Sequence, residues 1–201
     1  MKTRIRTASV AVAVLAIGLS AATAGCGKYS FNNLKAMKAF KEANDHYRAS
    51  RWREAADSYE RVIAAQPNTD AAPDFLAAYF FLGNSYDNLW KPARKGEPEN
   101  DALMSKAIEN YTEVLRRWPA DSVATTNLAY AYFFVLDFPN AARVGRQAVD
   151  LDPGNVTARN NLALFAMYAS DFDSSVTDAN RVIELNRTFE KPYLVLAASA
   201  M

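Results

Sequence analysis

The small and apolar residues in the C-terminal half of the chain recur with a period of 34 residues. Matching residues stand at equivalent places of two successive segments: Asn127 and Asn161, Leu128 and Leu162, Ala129 and Ala163, Pro119 and Pro153. A repeat of this length, closed by a proline that cannot continue a helix, is typical of a helix–turn–helix unit. Each such unit leaves an apolar face that only its neighbour can cover, so the pattern predicts a stack of helix pairs.

The segment before this one carries the most complete version of the pattern. Its first half has an aromatic-x2-Leu-Gly-x2-Tyr arrangement and its second half an Ala-x3-aromatic with a closing Pro: Tyr79, Leu82, Gly83, Tyr86, Ala107, Tyr111 and Pro119. These residues resemble the tetratricopeptide repeat family. The resemblance implies an all-α fold, a right-handed α-solenoid of helix–turn–helix units with four full repeats and a C-terminal half repeat.

The repeat register divides the chain into units and marks where the repeat is interrupted. The solenoid is expected at 34–201, with units at 36–69, 76–121, 122–155 and 156–189 and a terminal helix at 190–201. An insertion at 88–103, rich in charges and prolines, reads as an exposed loop or a one-turn extension, with Trp90 able to anchor it. It is either a binding loop or a tolerated lengthening. The last helix has no charge after Lys191 and is either an unusual cap or a surface that meets a partner or another copy of the chain.

The N-terminus has the order of a secretory signal peptide, predicted at residues 1–25. Three basic residues precede the apolar run VAVAVLAIGL and a block of small residues.

The following TAGC, residues 23–26, resembles a bacterial lipobox. The resemblance implies cleavage before Cys26, lipidation of its thiol, and a lipidated tether at 26–33. Ordinary cleavage near Ala24, leaving a free thiol, is the alternative. Gly27, where an Asp would favour inner-membrane retention, favours the outer membrane facing the periplasm.

The resemblance also implies a concave surface lined by the first helix of each unit, suited to a peptide segment of a partner. The residues that the register turns inward are Phe40, Asn44, Tyr47, Phe80, Asn84, Asp87, Thr126, Tyr130, Phe133, Asn160, Leu164 and Met167. The asparagines could hydrogen-bond a peptide backbone. The alternative is that several of these side chains pack against one another or under the terminal helices.

One specialised form of this groove is rejected on sequence. Chaperone-binding members of the family hold a C-terminal carboxylate with Lys, Asn and Arg, and Asn44 and Asn84 loosely match that arrangement. However, Val123 and Asn127 stand where basic residues of the third unit would be expected. A carboxylate clamp of that type is therefore not predicted.

Composition excludes several other classes of function. One cysteine and one histidine argue against a disulfide framework and against a metal site. The formal net charge of +1 does not give the basic footprint of a nucleic-acid-binding protein. No phosphate-binding loop, HExxH, GxSxG or CxxC motif is present, so neither an enzyme nor a cofactor is expected.

These observations predict a non-enzymatic, membrane-anchored protein–protein interaction scaffold of the bacterial envelope. Its expected partners are other envelope proteins, in outer-membrane or pilus assembly, with the membrane contacted through the lipid anchor. The alternative function is an adaptor that docks cell-wall hydrolases.

Overall fold

The computed structural model describes residues 30–66 and 75–199, which form nine α-helices. They are α1 Phe31–Arg48, α2 Trp52–Ala65, α3 Ala77–Leu89, α4 Pro98–Arg117, α5 Ser122–Phe134, α6 Phe138–Leu151, α7 Val156–Tyr168, α8 Phe172–Leu185 and α9 Lys191–Ser199. The predicted signal peptide and Cys26 lie outside the described residues. No helix in the described ranges is both long and apolar enough to cross a membrane.

The helices pack as four consecutive pairs, and α9 packs on the last of them. Each helix contacts the one that follows it, and the first helices of neighbouring pairs also touch: α1 with α3, α3 with α5, and α7 with α9. The predicted all-α array of four repeats and a C-terminal half repeat is therefore confirmed. The first helix begins at Phe31, inside the segment that the sequence assigns to the tether, so α1 is longer than the register requires.

The turn inside a helix pair has the same build in three of the four pairs. Ser50, Leu136 and Ser170 occupy equivalent repeat positions and all have a positive φ, between 55° and 67°. A left-handed conformation at a non-glycine residue is unfavourable, so the packing of both helices must hold it in place. In the second unit the turn is replaced by a longer connection, where Gly96 has a φ of 94°.

That longer connection and an extension of α4 account for the insertion predicted at 88–103. Residues 88–89 belong to α3, and residues 91–99 are exposed and include a short 3₁₀ turn at Pro92–Arg94. Helix α4 has 20 residues, against 14 in each of α2, α6 and α8. The buried Trp90 lies against Phe134 with ring centroids 5.3 Å apart, and the Asn100 side chain bonds both the N–H and the C=O of Lys91. The insertion is thus held on the array at both of its ends.

Small residues allow the two helices of a pair to approach closely. A Cβ added to Gly83 would lie 3.1 Å from the Tyr111 ring, and Ala129 and Ala163 are buried at the equivalent positions. On the facing helix of the third unit, the small Gly145 occupies the position that the large Tyr111 occupies in the second unit. The Phe165 ring, from the next helix, fills the space beside Gly145 and lies 3.0 Å from the position that a Cβ on Gly145 would take. The interior is therefore filled in both units, but in the third unit the ring that fills it comes from the next unit.

A buried carboxylate ties the third and fourth units together. Asp178 on α8 is almost fully buried and pairs with Arg146 of α6 and Arg159 of α7, each at 2.9 Å. A buried charge is tolerated only when it is paired, so this contact fixes the relative placement of three helices.

We expect Ala129→Leu to destabilise the array by about 1–3 kcal/mol, because the added carbons must enter a closely packed helix pair. Urea unfolding followed by circular dichroism measures the change. The matched control is Ala102→Leu, which adds the same atoms at an exposed position of α4. Equal unfolding midpoints for the two variants would contradict the role assigned to the small residue.

Candidate protein-binding groove

The first helices α1, α3, α5 and α7 lie side by side, and the twelve predicted groove residues are distributed over them. Eleven of the twelve are half-buried and Asn160 is buried. Half-burial means that these side chains contact the array and still keep an accessible part. The sequence left two interpretations open, that these residues line a ligand site or that they pack against one another. Half-buried side chains are compatible with both.

Aromatic rings pack along the groove in the first two units. Phe40 lies edge-on to Phe75 and to Tyr59, at 5.9 Å and 6.0 Å between centroids. Tyr47 contacts Phe81 at 5.0 Å, so α1 and α3 are joined through their rings. Edge-to-face pairs of this kind add stability beyond their burial. The groove wall at this end is consequently a continuation of the core.

Tyrosine–asparagine hydrogen bonds form the floor of the groove between these units. The Tyr59 hydroxyl donates to Asn44 Oδ1 at 2.7 Å, and the Tyr47 hydroxyl donates to Asn84 Oδ1 at 2.6 Å. Burial raises the pKa of both tyrosines, so both hydroxyls keep their protons at neutral pH. Burial also raises the pKa of Tyr111, and the neighbouring amides of Asn84 and Asn127 partly offset that increase.

These bonds change what the asparagines can offer a ligand. The amide oxygens of Asn44 and Asn84 already accept hydrogen bonds from tyrosine hydroxyls. The amide nitrogen of Asn44 has no acceptor among the described residues, which leaves it as a donor toward the groove. At Asn44 and Asn84 the predicted backbone-binding role therefore narrows to donation, because the amide oxygen of each is engaged by the fold.

A second aromatic cluster lies at the third and fourth units. Phe133 contacts Phe165 at 5.3 Å and Tyr168 at 5.2 Å, while Tyr130 meets Phe165 edge-on at 5.5 Å. Phe134 stacks on Tyr130 and also covers Trp90. The predicted groove set includes neither Phe134 nor Tyr168. The 34-residue spacing between them is the signal that could have identified both.

The remaining predicted residues differ in how accessible they are. The Thr126 hydroxyl donates to the Ser122 carbonyl at 2.8 Å within its own helix. Leu164 and Met167 pack against the cluster that α9 closes through Val195, and the buried Asn160 Oδ1 has no hydrogen-bond partner among the described residues. The fourth unit is therefore partly covered by the terminal helix, as the alternative reading of the sequence allowed.

Exposed apolar side chains lie on the same face of two of the first helices. Val123 precedes Thr126 by one helical turn and is 56% exposed, and Met37 has the equivalent place one turn before Phe40. A surface valine or methionine alone is ordinary, but these border a half-buried aromatic wall. They are the apolar atoms that a bound segment would remove from water.

The groove has little charge. Asp87 is the only ionisable acid or base other than tyrosine among the twelve residues, and burial raises its pKa. Across the described ranges, no group of three or more His, Cys, Asp or Glu side chains is placed to hold a metal ion. The surface is therefore suited to apolar contacts and neutral hydrogen bonds.

A cleft on the other side of the array was not predicted from the sequence. It has a volume of about 680 Å³ and lies between α2, α3 and α4, with Ile63, Tyr79 and Leu82 among its lining residues. Glu60 and Lys106 form an ion pair across it at 3.5 Å, and Glu60 also accepts a hydrogen bond from the Tyr86 hydroxyl.

Sequence comparison finds tetratricopeptide repeats in this chain. Residues 40–89 match the profile of the tetratricopeptide repeat family. Serine/threonine-protein phosphatase 5 of Mus musculus is 30% identical over 107 residues, and its Homo sapiens counterpart is 29% identical over the same length. The match covers 53% of this chain but only 18% of either phosphatase, so it concerns a minor part of those proteins.

Structural comparison finds the same fold in proteins of low sequence identity. A crystal structure of the MamA protein superposes with a TM-score of 0.67 at 16% identity, covering 82% of this chain and 80% of MamA. The second tetratricopeptide domain of human RPAP3, solved in complex with the HSP70 peptide SGPTIEEVD, has a TM-score of 0.53 at 18% identity. That match covers 65% of this chain and 99% of the domain. At these identities the likeness establishes the fold.

Proposed function

Because the chain is a tetratricopeptide-repeat protein, we propose that it is a non-enzymatic scaffold that binds a segment of a partner protein along its concave groove. The observation that carries this proposal is the pair of exposed apolar side chains beside the aromatic wall, Met37 and Val123. A peptide laid along α1, α3, α5 and α7 would cover these atoms and bring its carbonyl groups within reach of Asn44. Apolar burial would supply the affinity, and the amide would set the register.

The chemistry of the groove favours an apolar partner segment over an acidic one. The structures of RPAP3 hold the HSP70 peptide SGPTIEEVD and, for its first repeat domain, the HSP90 peptide SRMEEVD. Both peptides end in acidic residues. None of the twelve groove residues here is Lys or Arg, and one is Asp87. An acidic tail would bring like charges together without a cation to pair them, so we expect a neutral, apolar segment.

The partner is proposed to be another protein of the bacterial envelope, and the anchor is proposed to be Cys26. The support is the order of the N-terminal sequence, in which a basic start, an apolar run and TAGC precede the array. Four residues lie between Cys26 and Phe31, where α1 begins, and the five Cα–Cα steps from one to the other reach at most about 18 Å. A lipid on Cys26 would therefore keep the first repeat at the membrane surface. Factors of outer-membrane or pilus assembly are the proposed partners, and cell-wall hydrolases are the alternative class.

We expect Val123→Glu to weaken capture of the groove's partner about tenfold, because a charge would replace an apolar contact. The measurement compares proteins retained from solubilised envelopes by the intact chain and by the variant. The matched control is Val176→Glu on α8, a valine that is 36% exposed on a second helix. A partner that is retained equally by both variants does not use the groove, and that result would contradict the proposal.

For the anchor, we expect a clickable palmitate analogue to label the intact chain in bacteria and to leave Cys26→Ala unlabelled. The physical reason is that only the thiol of Cys26 can carry the thioether-linked lipid. Ser30→Ala, which removes a hydroxyl close to the same site, is the control and should keep the label. Equal labelling of the intact chain and Cys26→Ala, or the absence of label from both, would refute lipidation.

A further inference from the structure

Helix α1 has an outer face on which no other described helix packs. Its inner face is made of Ala36, Ala39 and Ala43, which are buried within the array. The helix has 18 residues, whereas α3, α5 and α7 have 13 each, and the additional residues lie at its N-terminal end. The lengthened end carries Phe31, which is 80% exposed, and Leu34, which is 50% exposed.

Three lysines share this outer face with the two apolar side chains. Lys35, Lys38 and Lys41 are all exposed, and residues 31–41 contain no acid. At 100° per residue, Phe31, Leu34 and the three lysines fall within an arc of about 120° around the helix. The face therefore combines apolar groups at the start of the helix with three lysines, and Glu42 and Asp45 follow them in the same arc.

The acids farther along the helix do not neutralise these lysines. Glu42 pairs with Arg61 of α2 at 3.0 Å, and Asp45 is 3.6 Å from Arg48. Within the described ranges no carboxylate lies within ion-pair distance of the three lysines. They are available to bind an anionic surface.

We propose that this outer face lies on an anionic phospholipid surface, with Phe31 and Leu34 among the headgroups and the lysines on the phosphates. Aromatic and aliphatic groups beside lysines are the chemistry of a helix that rests in the membrane interface. The inference rests on the proposed membrane anchor, which would hold α1 close to such a surface. It adds a second contact, one that sets the orientation of the array.

A second copy of the chain is a poorer occupant of this face. In a two-fold symmetric contact each face meets its own copy, so lysines would be brought against lysines. Like charges in an interface weaken association. An anionic lipid surface instead provides the opposite charge at every lysine, together with an apolar layer for Phe31.

This orientation leaves the groove accessible. Phe40, Asn44 and Tyr47 lie about 120–180° away from the centre of the outer face, as counted around the helix. When α1 rests on the membrane, the groove side of the helix faces away from the lipid. The lipid contact and the partner segment therefore do not compete for the same side of α1.

The test uses the intact lipidated chain in phosphatidylcholine vesicles that contain phosphatidylglycerol. An environment-sensitive thiol dye is attached at Leu34→Cys or, as a matched control, at Leu194→Cys, an exposed leucine on α9. We expect brominated lipids to quench the dye at position 34 and to leave the dye at position 194 unaffected. Lys38→Gln should lower the ratio of chains with α1 on the membrane to chains with α1 off it about fivefold. Quenching should disappear in vesicles without anionic lipid.

Two outcomes would overturn the inference. One is equal quenching at positions 34 and 194. The other is a shift of the dye at position 34 that bromine does not quench and that grows with the number of chains per vesicle, which would assign the face to a second copy. Circular dichroism confirms that each variant remains folded.

Failure of the anchor is detected separately. In the parent chain Cys26 is the only thiol, so dye uptake there would show that it is not lipidated. In that case the dye is attached to a chain that carries Cys26→Ala together with Leu34→Cys, so that position 34 has the only thiol, and this chain is mixed with the same vesicles. Quenching at position 34 that requires Lys35, Lys38 and Lys41 would still support the lipid face, and its absence would overturn it.

Discussion

The close approach of the two helices in each pair is the constraint on which the rest of the structure depends. Gly83, Ala129 and Ala163 leave room for the facing helix, and the Tyr111 ring lies 3.1 Å from the position that a Cβ on Gly83 would take. Once the pair is closed, its remaining apolar surface can be buried only by the next pair. The stack, in which each helix contacts the next and the first helices lie along one side, follows from that requirement.

The groove is not a separate layer added to this core. Tyr59 is fully buried in the interior, yet its hydroxyl reaches Asn44 on the groove side. Tyr47, in turn, joins α1 to α3 through Asn84. The surface proposed to bind a partner is therefore held by the same contacts that stabilise the array, and it is largely formed before any ligand arrives. Preformed surfaces lose less conformational entropy on binding.

The array and most of its candidate site could be predicted because they follow the repeat period. The period places Leu128 and Leu162 in the core and assigns the groove positions to the first helices. Contacts that break the period could not be predicted. Phe165 fills the space beside Gly145, and the amide oxygens of Asn44 and Asn84 accept hydrogen bonds from tyrosines. Trp90 is expected from the sequence to anchor the insertion, but its partner Phe134 could not be named. Each depends on which side chain from another helix reaches a gap, and residue spacing does not contain that information.

The most direct test of the central claim, that one partner segment lies along the whole groove, is photo-crosslinking from two groove positions in different units. A photoreactive side chain is placed at Phe80 of α3 or at Leu164 of α7, and the crosslinked residues of the partner are identified by mass spectrometry. The account predicts that both positions crosslink to the same partner, at two sites within a single segment of its sequence. Crosslinks to unrelated proteins, or crosslinks that form from Val176 on α8 and from neither groove position, would contradict it.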